Sequence, residues 1–253
     1  MNTLKQRMPN WLKDSIRTVR AKAYAGEGRY CPICEKSARK FLTAGRETRE
    51  DSQCPHCLSF ERQRFLLLYL LRRTDLFNSR LENSAKERSE PILHVSPAAC
   101  LEPKFKARFG DRYLTADLLS PTAMVKMDIT NIQYPDQSFP AILCSHVLEH
   151  VSNDIAAMRE FYRVLKDDGW AILLVPITAD RTFEDPSIAD PAKRLELFGE
   201  IDHVRRYGPD YVDRLRSVGF KVETIFVEEV ASAAEIEKMR LTADSGEIYL
   251  CRK

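Results

Sequence analysis

The chain has 253 residues, 44% hydrophobic and 30% charged, with a formal net charge of +2. That is enough apolar material for one full-sized α/β domain with a small appendage, and too much for a disordered chain. The longest dense apolar stretch, Phe65 to Leu71, is far short of a bilayer span. The first residues, MNTLKQRMPNWLKDS, hold no continuous apolar segment of the kind that marks an export signal, so the expectation is a cytoplasmic protein. Charge is uneven: residues 1–90 hold 19 Lys and Arg against 11 Asp and Glu, and residues 91–253 hold 20 against 26. A basic N-terminal part can meet nucleic acid or another anionic surface, or can simply be a solvated face.

In chain order, residues 9–25 predict an amphipathic helix. Trp11, Leu12, Ile16, Val19 and Ala23 recur at helical spacing, with Lys13, Arg17, Arg20 and Lys22 between them. Packing against its own protein is the simpler reading; lying on a membrane is the other. Residues 30–57 form a cysteine module, Cys31-x2-Cys34 and Cys54-x2-Cys57, with 19 residues between the pairs. Each pair sets two thiolates at the ends of a tight turn, and two such turns make a tetrahedral sulfur site suited to Zn²⁺. Four thiolates leave no open position, so the ion is expected to be structural. His56 lies inside the second turn without needing to be a ligand. A nucleic-acid role for the module would draw on Lys36, Arg39, Lys40, Arg46 and Arg49, but few aromatics interleave with them. Cys100, Cys144 and Cys251 stand in apolar surroundings, as small core residues do. Residues 59–77 predict a second helix, largely buried, with Ser59 as N-cap, and 78–90 a polar surface linker.

From Pro91 strands and helices alternate. Strands are predicted at 92–96, 112–117, 124–128, 140–145, 170–176, 220–229 and 246–253. Helices are predicted at 98–109, broken by Pro103, and at 154–165 and 209–219. This succession argues an α/β fold, a parallel sheet with helices on both faces, its last two strands pairing antiparallel at one edge. The domain organisation is then a helix at 1–29, a zinc ribbon at 30–57, helix and linker at 58–90, and an α/β domain at 91–253. Residues 177–208 are too long for an ordinary loop and are read as a lid insertion.

Residues His146-Val147-Leu148-Glu149-His150 spell H-x-x-E-H, a zinc-peptidase pattern. Peptidase chemistry needs both histidines on one continuous helix. Here the motif follows the apolar strand at 140–145, and Ser152 and Asn153 have the character of a cap for the next helix. It therefore reads as a strand-to-helix connection, at the carboxyl edge where open α/β sheets bind ligands.

The stretch DITNIQYPDQSFPAILCSHVLEHVSNDIAAMREFYRVLKDDGWAILLVPI resembles the third to fifth strands, and the intervening helix, of class I S-adenosylmethionine-dependent methyltransferases. Together, CPIC, CPHC, SFERQRFLLLYL and FGEIDHVRRYG resemble bacterial methyltransferases with an N-terminal zinc ribbon. The resemblance implies a Rossmann-like sheet and S-adenosylmethionine as cofactor. It places Asp117 on the ribose, Asp128 and Ile129 on the adenine, and His146 beside the methionine part. Ser96, with the amides of Ala98 and Ala99, would hold the carboxylate. One departure is that the first strand–helix turn, HVSPAA from His94 to Ala99, has no glycine where the family is glycine-rich.

On the acceptor side stands Asp202-His203-Val204-Arg205-Arg206-Tyr207. His203, oriented by Asp202, is the first choice of general base and His150 the second. Arg205 or Arg206 is suited to a substrate carboxylate or phosphate, and Tyr207 adds a phenol. Asp202 and Arg205, three apart, can equally pair on a helix surface. The leading expectation is O- or N-methylation of a small-molecule acceptor, a glycan or secondary metabolite. The alternatives are an RNA methyltransferase guided by the basic module, a non-catalytic protein that keeps the fold, and a zinc peptidase. Oligomeric state is not legible.

Overall fold

A computed structural model describes residues 9–45, 48–77 and 90–253. Arg46 and the linker up to residue 89 lie outside the described residues. The chain divides into two compact units. One comprises residues up to 78 together with Val227–Ser245, and the other residues from 79 to Phe226 together with Gly246–Lys253. Residues 227–245, read from sequence as part of the α/β domain, thus cluster with the N-terminal unit.

The first unit opens with α1 (Asn10–Ala23). Ile16 and Val19 of its apolar stripe are exposed, at 45% and 68%, where the periodicity predicts packing. Two antiparallel hairpins follow, β1 (Arg29–Cys31) with β2 (Lys36–Ala38), and β3 (Leu42–Ala44) with β4 (Arg49–Gln53). Next comes α2 (Glu61–Arg73), whose Phe65 to Leu70 are all buried. Ser59 does not cap this helix. Phe60 holds the N-cap position and its amide donates to Gln63 Oε1 at 2.7 Å, while the Ser59 carbonyl accepts from Cys54 N at 2.9 Å. The reason is that residue 59 closes the second cysteine turn before the helix begins.

Arg64 is the pivot of this unit. It is fully buried, and its guanidinium donates to the carbonyls of Ser59 at 2.8 Å, Met239 at 2.8 Å, Ser52 at 3.1 Å and Arg240 at 3.2 Å. Its charge lies over the Phe41 ring, 4.6 Å from the centroid. A buried cation is tolerated only when its donors are satisfied. These bonds tie α2 to the second cysteine turn and to the end of the helix at Ala233–Met239.

The second unit is built on a seven-stranded sheet. Its strands are β5 (Ile92–Val95), β6 (Tyr113–Asp117), β7 (Val125–Lys126), β8 (Phe139–Ser145), β9 (Leu165–Leu174), β12 (Lys221–Ile225) and β13 (Ile248–Arg252). The order across the sheet is β7-β6-β5-β8-β9-β13-β12. The strands from β7 to β9 are parallel, and β13 runs antiparallel to both neighbours. This mostly parallel sheet fits the expected Rossmann-like methyltransferase layout. The last two strands pair antiparallel at one edge, as expected from sequence, with β13 inserted between β9 and the edge strand β12.

Helices α3 (Glu102–Phe109), α4 (Asp154–Val164) and α6 (Tyr211–Ser217) flank the sheet. In α4 the buried apolar residues are Ala157, Met158, Phe161 and Val164, one stripe at helical spacing. Pro103 does not break α3. It occupies the first turn, where its missing N–H has no helical partner to lose. Helix α4 gives way directly to β9 at Leu165, so the polar KDDG stretch belongs to the strand. Residues 177–208 are also structured. Here β10 (Phe183–Glu184) pairs antiparallel with β11 (Arg205–Arg206), and α5 (Pro191–Phe198) lies between them. Cys144 and Cys251 are buried and Cys100 half-buried.

Candidate active site and metal centres

Strand order reverses at β5: the chain moves outward through β6 and β7, then returns to lay β8 on the other side of β5. Such switch points open a crevice at the carboxyl edge of the sheet. The first residue beyond each of the two central strands has left-handed backbone, Ser96 with φ 46° and His146 with φ 56°. Side chains rarely adopt this conformation, and where they do it marks a sharp, often functional turn. Ser96 therefore makes this sharp turn without a glycine. Its amide is held by the Ala116 carbonyl at 2.8 Å, and that of His146 by Leu174 at 2.9 Å.

Asp117 ends β6 beside this crevice. Its Oδ1 accepts from the amides of Leu119 at 2.8 Å and Ser120 at 2.7 Å. Burial opposes its ionisation, but the amides of Ser120 and Leu119 and the Ser96 hydroxyl outweigh burial and hold the carboxyl below its ordinary range. Next to it Leu118, Leu119 and Met124 are exposed, at 48%, 87% and 61%. Asp128 is exposed and its Oδ1 accepts from the Thr130 amide and hydroxyl, both at 2.8 Å. Ile129 is buried in the core, so the apolar face expected of it is not turned outward. Ala98 and Ala99 precede α3, which begins only at Glu102. The helix start expected at those alanines lies further along the chain.

The HVLEH segment is not a helix bearing both histidines. His146 is the left-handed corner after β8, and Leu148–His150 is a single 3-10 turn. Asn153 then caps α4, accepting from Ala156 N at 3.0 Å. The geometry excludes the peptidase arrangement.

Residues 203–207 clamp this turn from outside. Val204 N donates to the Glu149 carbonyl at 2.9 Å. Arg205, only 2% exposed, donates to the carbonyls of Leu148 at 2.8 Å, Ser152 at 2.9 Å and Val151, and to Glu184 Oε2 at 2.8 Å. Tyr207 is fully buried, and its hydroxyl donates to Asp154 Oδ2 at 2.7 Å. Burial, with the Asp154 charge, pushes that phenol well above its ordinary value. Asp154 also receives Arg214 at 2.7 Å. Arg205 and Tyr207, expected to meet substrate, are thus engaged inside the protein, Arg205 on three backbone carbonyls and Glu184, and Tyr207 on Asp154. Arg206 is half-buried beside Thr178, donating to its hydroxyl at 3.2 Å.

The clamp brings His203 against His150, ring centroids 4.6 Å apart and nearly perpendicular. Asp202 does not orient His203, as the sequence suggested. Its Oδ2 lies 3.3 Å from His150 Nδ1, whereas His203 Nδ1 meets the Phe198 carbonyl at 3.2 Å. The cause is the chain reversal after α5, which turns successive side chains apart. One carboxylate oxygen of Glu149 and one nitrogen each of His150 and His203 lie within 4.8 Å of one another. Glu149, which from sequence lies either next to the methyl-transfer site or at the helix cap, is 1% exposed. Its place inside H-x-x-E-H was the available signal.

In the first unit the four cysteine sulfurs converge, all within 4.8 Å of one another. Cys31 and Cys57 Sγ are 3.6 Å apart, and Cys34 and Cys54 Sγ 3.7 Å. Those separations are far beyond a disulfide, and they match the roughly 3.8 Å edge of a sulfur tetrahedron around an ion at about 2.3 Å. The two turns are built alike. Glu35 N meets Cys31 O at 2.8 Å and Leu58 N meets Cys54 O at 2.9 Å, and both Glu35 and Leu58 have positive φ. The Ser59 hydroxyl lies 3.3 Å from Cys31 Sγ and 3.2 Å from Cys57 Sγ.

Residues 94–173, from β5 through β9, match a family model described as a methyltransferase domain. Two curated proteins are similar over part of the chain. "Uncharacterized methyltransferase YcgJ" of Bacillus subtilis is 37% identical over 75 residues, 30% of this chain and 28% of that protein. The "Ubiquinone/menaquinone biosynthesis C-methyltransferase UbiE" of Xanthomonas axonopodis is 39% identical over 72 residues, 28% of either chain. The chain thus spans under a third of the length of the curated relatives it matches. Among solved structures, an S-adenosylmethionine-dependent methyltransferase from Mesorhizobium loti is 15% identical, covering 64% of this chain and 90% of that one at a TM-score of 0.43.

Proposed function

We propose that residues 91–253 bind S-adenosylmethionine and transfer its methyl group to oxygen or nitrogen of a small-molecule acceptor. The observation that carries this reading is the match of residues 94–173 to a methyltransferase domain. The local chemistry supports it. Asp117 stays ionised while Oδ1 is held by its own turn, so the carboxylate is fixed in place to accept from ribose hydroxyls. Exposed Leu118 is an apolar surface of the kind a purine covers. The sharp corners at Ser96 and His146 stand at the carboxyl ends of the two central strands, where the amino-acid part of the cofactor would lie.

The cofactor supplies an activated methyl on a sulfonium sulfur, and the protein's share is mainly alignment. Arg205 and Tyr207 contribute by fixing the 148–152 turn, and His150 and His203 form the polar wall facing the acceptor. The thiol quartet fits a structural Zn²⁺ with no open position.

Calorimetric titration with S-adenosylhomocysteine tests the reading. Binding is expected, and Asp117→Ala should weaken it about tenfold or more, about 1.4 kcal/mol. Absence of both heat and thermal shift in the unmodified protein would favour a fold kept without methyl transfer.

A nucleic-acid acceptor is the second reading. It rests on a basic recess in the first unit lined by Arg17, Lys22, Lys36 and His56. Retention on RNA that falls steeply with salt would raise it above the first.

A further inference from the structure

Buried carboxylate oxygens are normally paired, because an unpaired one costs several times what a made bond returns. Glu149 departs from this. Its Oε1 is 3.3 Å from His146 Nδ1, but its Oε2 is buried and has no hydrogen-bond partner among the described residues. The same carboxylate lies with two imidazole nitrogens in one cluster. An orphaned buried anion beside two imidazoles calls for a cation.

The two imidazoles are already set for that role. Histidines that ligate metal donate their other ring N–H to a carboxylate or a backbone carbonyl, which fixes tautomer and orientation. Here His150 Nδ1 faces the Asp202 carboxylate and His203 Nδ1 faces the Phe198 carbonyl. Both partners favour hydrogen on Nδ1 and leave the lone pair on Nε2. The support behind the ligands is rigid. Arg205 holds Leu148, Val151 and Ser152, and Val204 is bonded to Glu149.

We propose that Glu149, His150 and His203 bind one divalent transition-metal ion through one carboxylate oxygen and two imidazole nitrogens. Two imidazoles and one carboxylate form a recognised donor set for zinc and for iron-group ions, and it leaves positions open for further ligands. Ligands about 2.1 Å from an ion stand roughly 3 to 4 Å apart, so a small rotation of the exposed His150 closes the observed cluster. Where the methyl-transfer reading holds, the open positions would take oxygen atoms of the acceptor. That selects acceptors with two adjacent oxygens, vicinal hydroxyls or a hydroxyl beside a carbonyl, and lowers the pKa of the reacting hydroxyl.

The test is a cobalt(II) titration of the whole protein, preloaded with one equivalent of zinc per chain and without any methyl donor. One further equivalent of cobalt is expected, with ligand-field bands but no thiolate-to-cobalt charge transfer. Glu149→Gln and His203→Ala should each weaken this binding by about 100-fold, and Asp202→Asn by about tenfold. Glu149→Gln replaces a carboxylate whose buried Oε2 has no partner among the described residues, so its melting temperature without cobalt should equal or exceed that of the parent. The proposal is overturned if the zinc-loaded protein takes up no cobalt, or if both ligand variants bind it as well as the parent. Because no methyl donor is present, failure here is distinct from failure to bind S-adenosylhomocysteine.

Discussion

The two clusters of side chains that could hold a metal ion are assembled in opposite ways. The thiol quartet comes from two copies of one local device, a four-residue turn closed by a backbone bond and followed by a left-handed residue. The Glu149 cluster joins a 3-10 turn to a residue more than fifty positions later. In the quartet the ligands fill every position of a tetrahedron. In the Glu149 cluster three donors leave room. A closed site made of local turns serves folding, whereas an open site assembled on an existing scaffold is free to serve chemistry.

The strongest way to break the comparison is to remove metal from both. Chelation, or Cys34→Ser, should unfold the first unit's cysteine module, a loss of at least about 5 kcal/mol where structural zinc contributes about 10 to 16. Limited proteolysis should then cut between residues 29 and 59. The second unit should keep its melting transition, because its core is the seven-stranded sheet. A cysteine module that resists protease after zinc loss would end the structural assignment.

A smaller effect is expected at the two buried arginines, which play matching parts in the two units. Arg64 and Arg205 each donate to several backbone carbonyls, and replacing either leaves those carbonyls buried and unsatisfied. Arg64→Met and Arg205→Met should each cost about 3 kcal/mol by denaturant titration. The difference between the sites should show in a second readout. Arg205→Met should also weaken cobalt uptake at the Glu149 cluster, and Arg64→Met should not.

A third effect, the smallest over any one pH unit, is a pH dependence confined to the second unit. His94 lies in the middle of the sheet, packed on Phe105, with Nδ1 2.9 Å from the Tyr113 hydroxyl. Burial drives its pKa down from 6.5 to about 3. Between those values the unfolded chain binds a proton that the folded chain does not. Stability from this group is therefore complete above pH 6.5 and falls by about 1.4 kcal/mol per pH unit toward pH 3. Urea midpoints measured from pH 7 to pH 4 should show this slope in the parent and a flatter one in His94→Gln. Equal slopes would assign the acid sensitivity elsewhere.

Much of this was legible in residue order. Short apolar runs located the strands of the sheet, since a parallel strand buried on both faces needs a nearly continuous one. The spacing of Cys31, Cys34, Cys54 and Cys57 located the quartet, because each half of that site is a local turn. Asn153 was legible as a cap for the same reason. What failed were inferences about partners. Asp202 was expected on His203 because the two are adjacent, yet the chain reversal after α5 sends their side chains to different partners, His150 and the Phe198 carbonyl. Arg205 and Tyr207 look like substrate-binding residues by type, and only their burial against the 148–152 turn reveals them as supports.

The sequence alone determined the elements and the zinc-type module, because periodicity and short spacings act within a few residues and need no knowledge of the rest of the chain. It also determined that HVLEH sits at a strand's carboxyl end. Only the tertiary structure decided what that motif meets. The left-handed corner at His146 turns the first histidine out of any shared helix, and the 203–207 segment delivers His203 in its place. That pairing depends on where two distant segments pack, which no local pattern records.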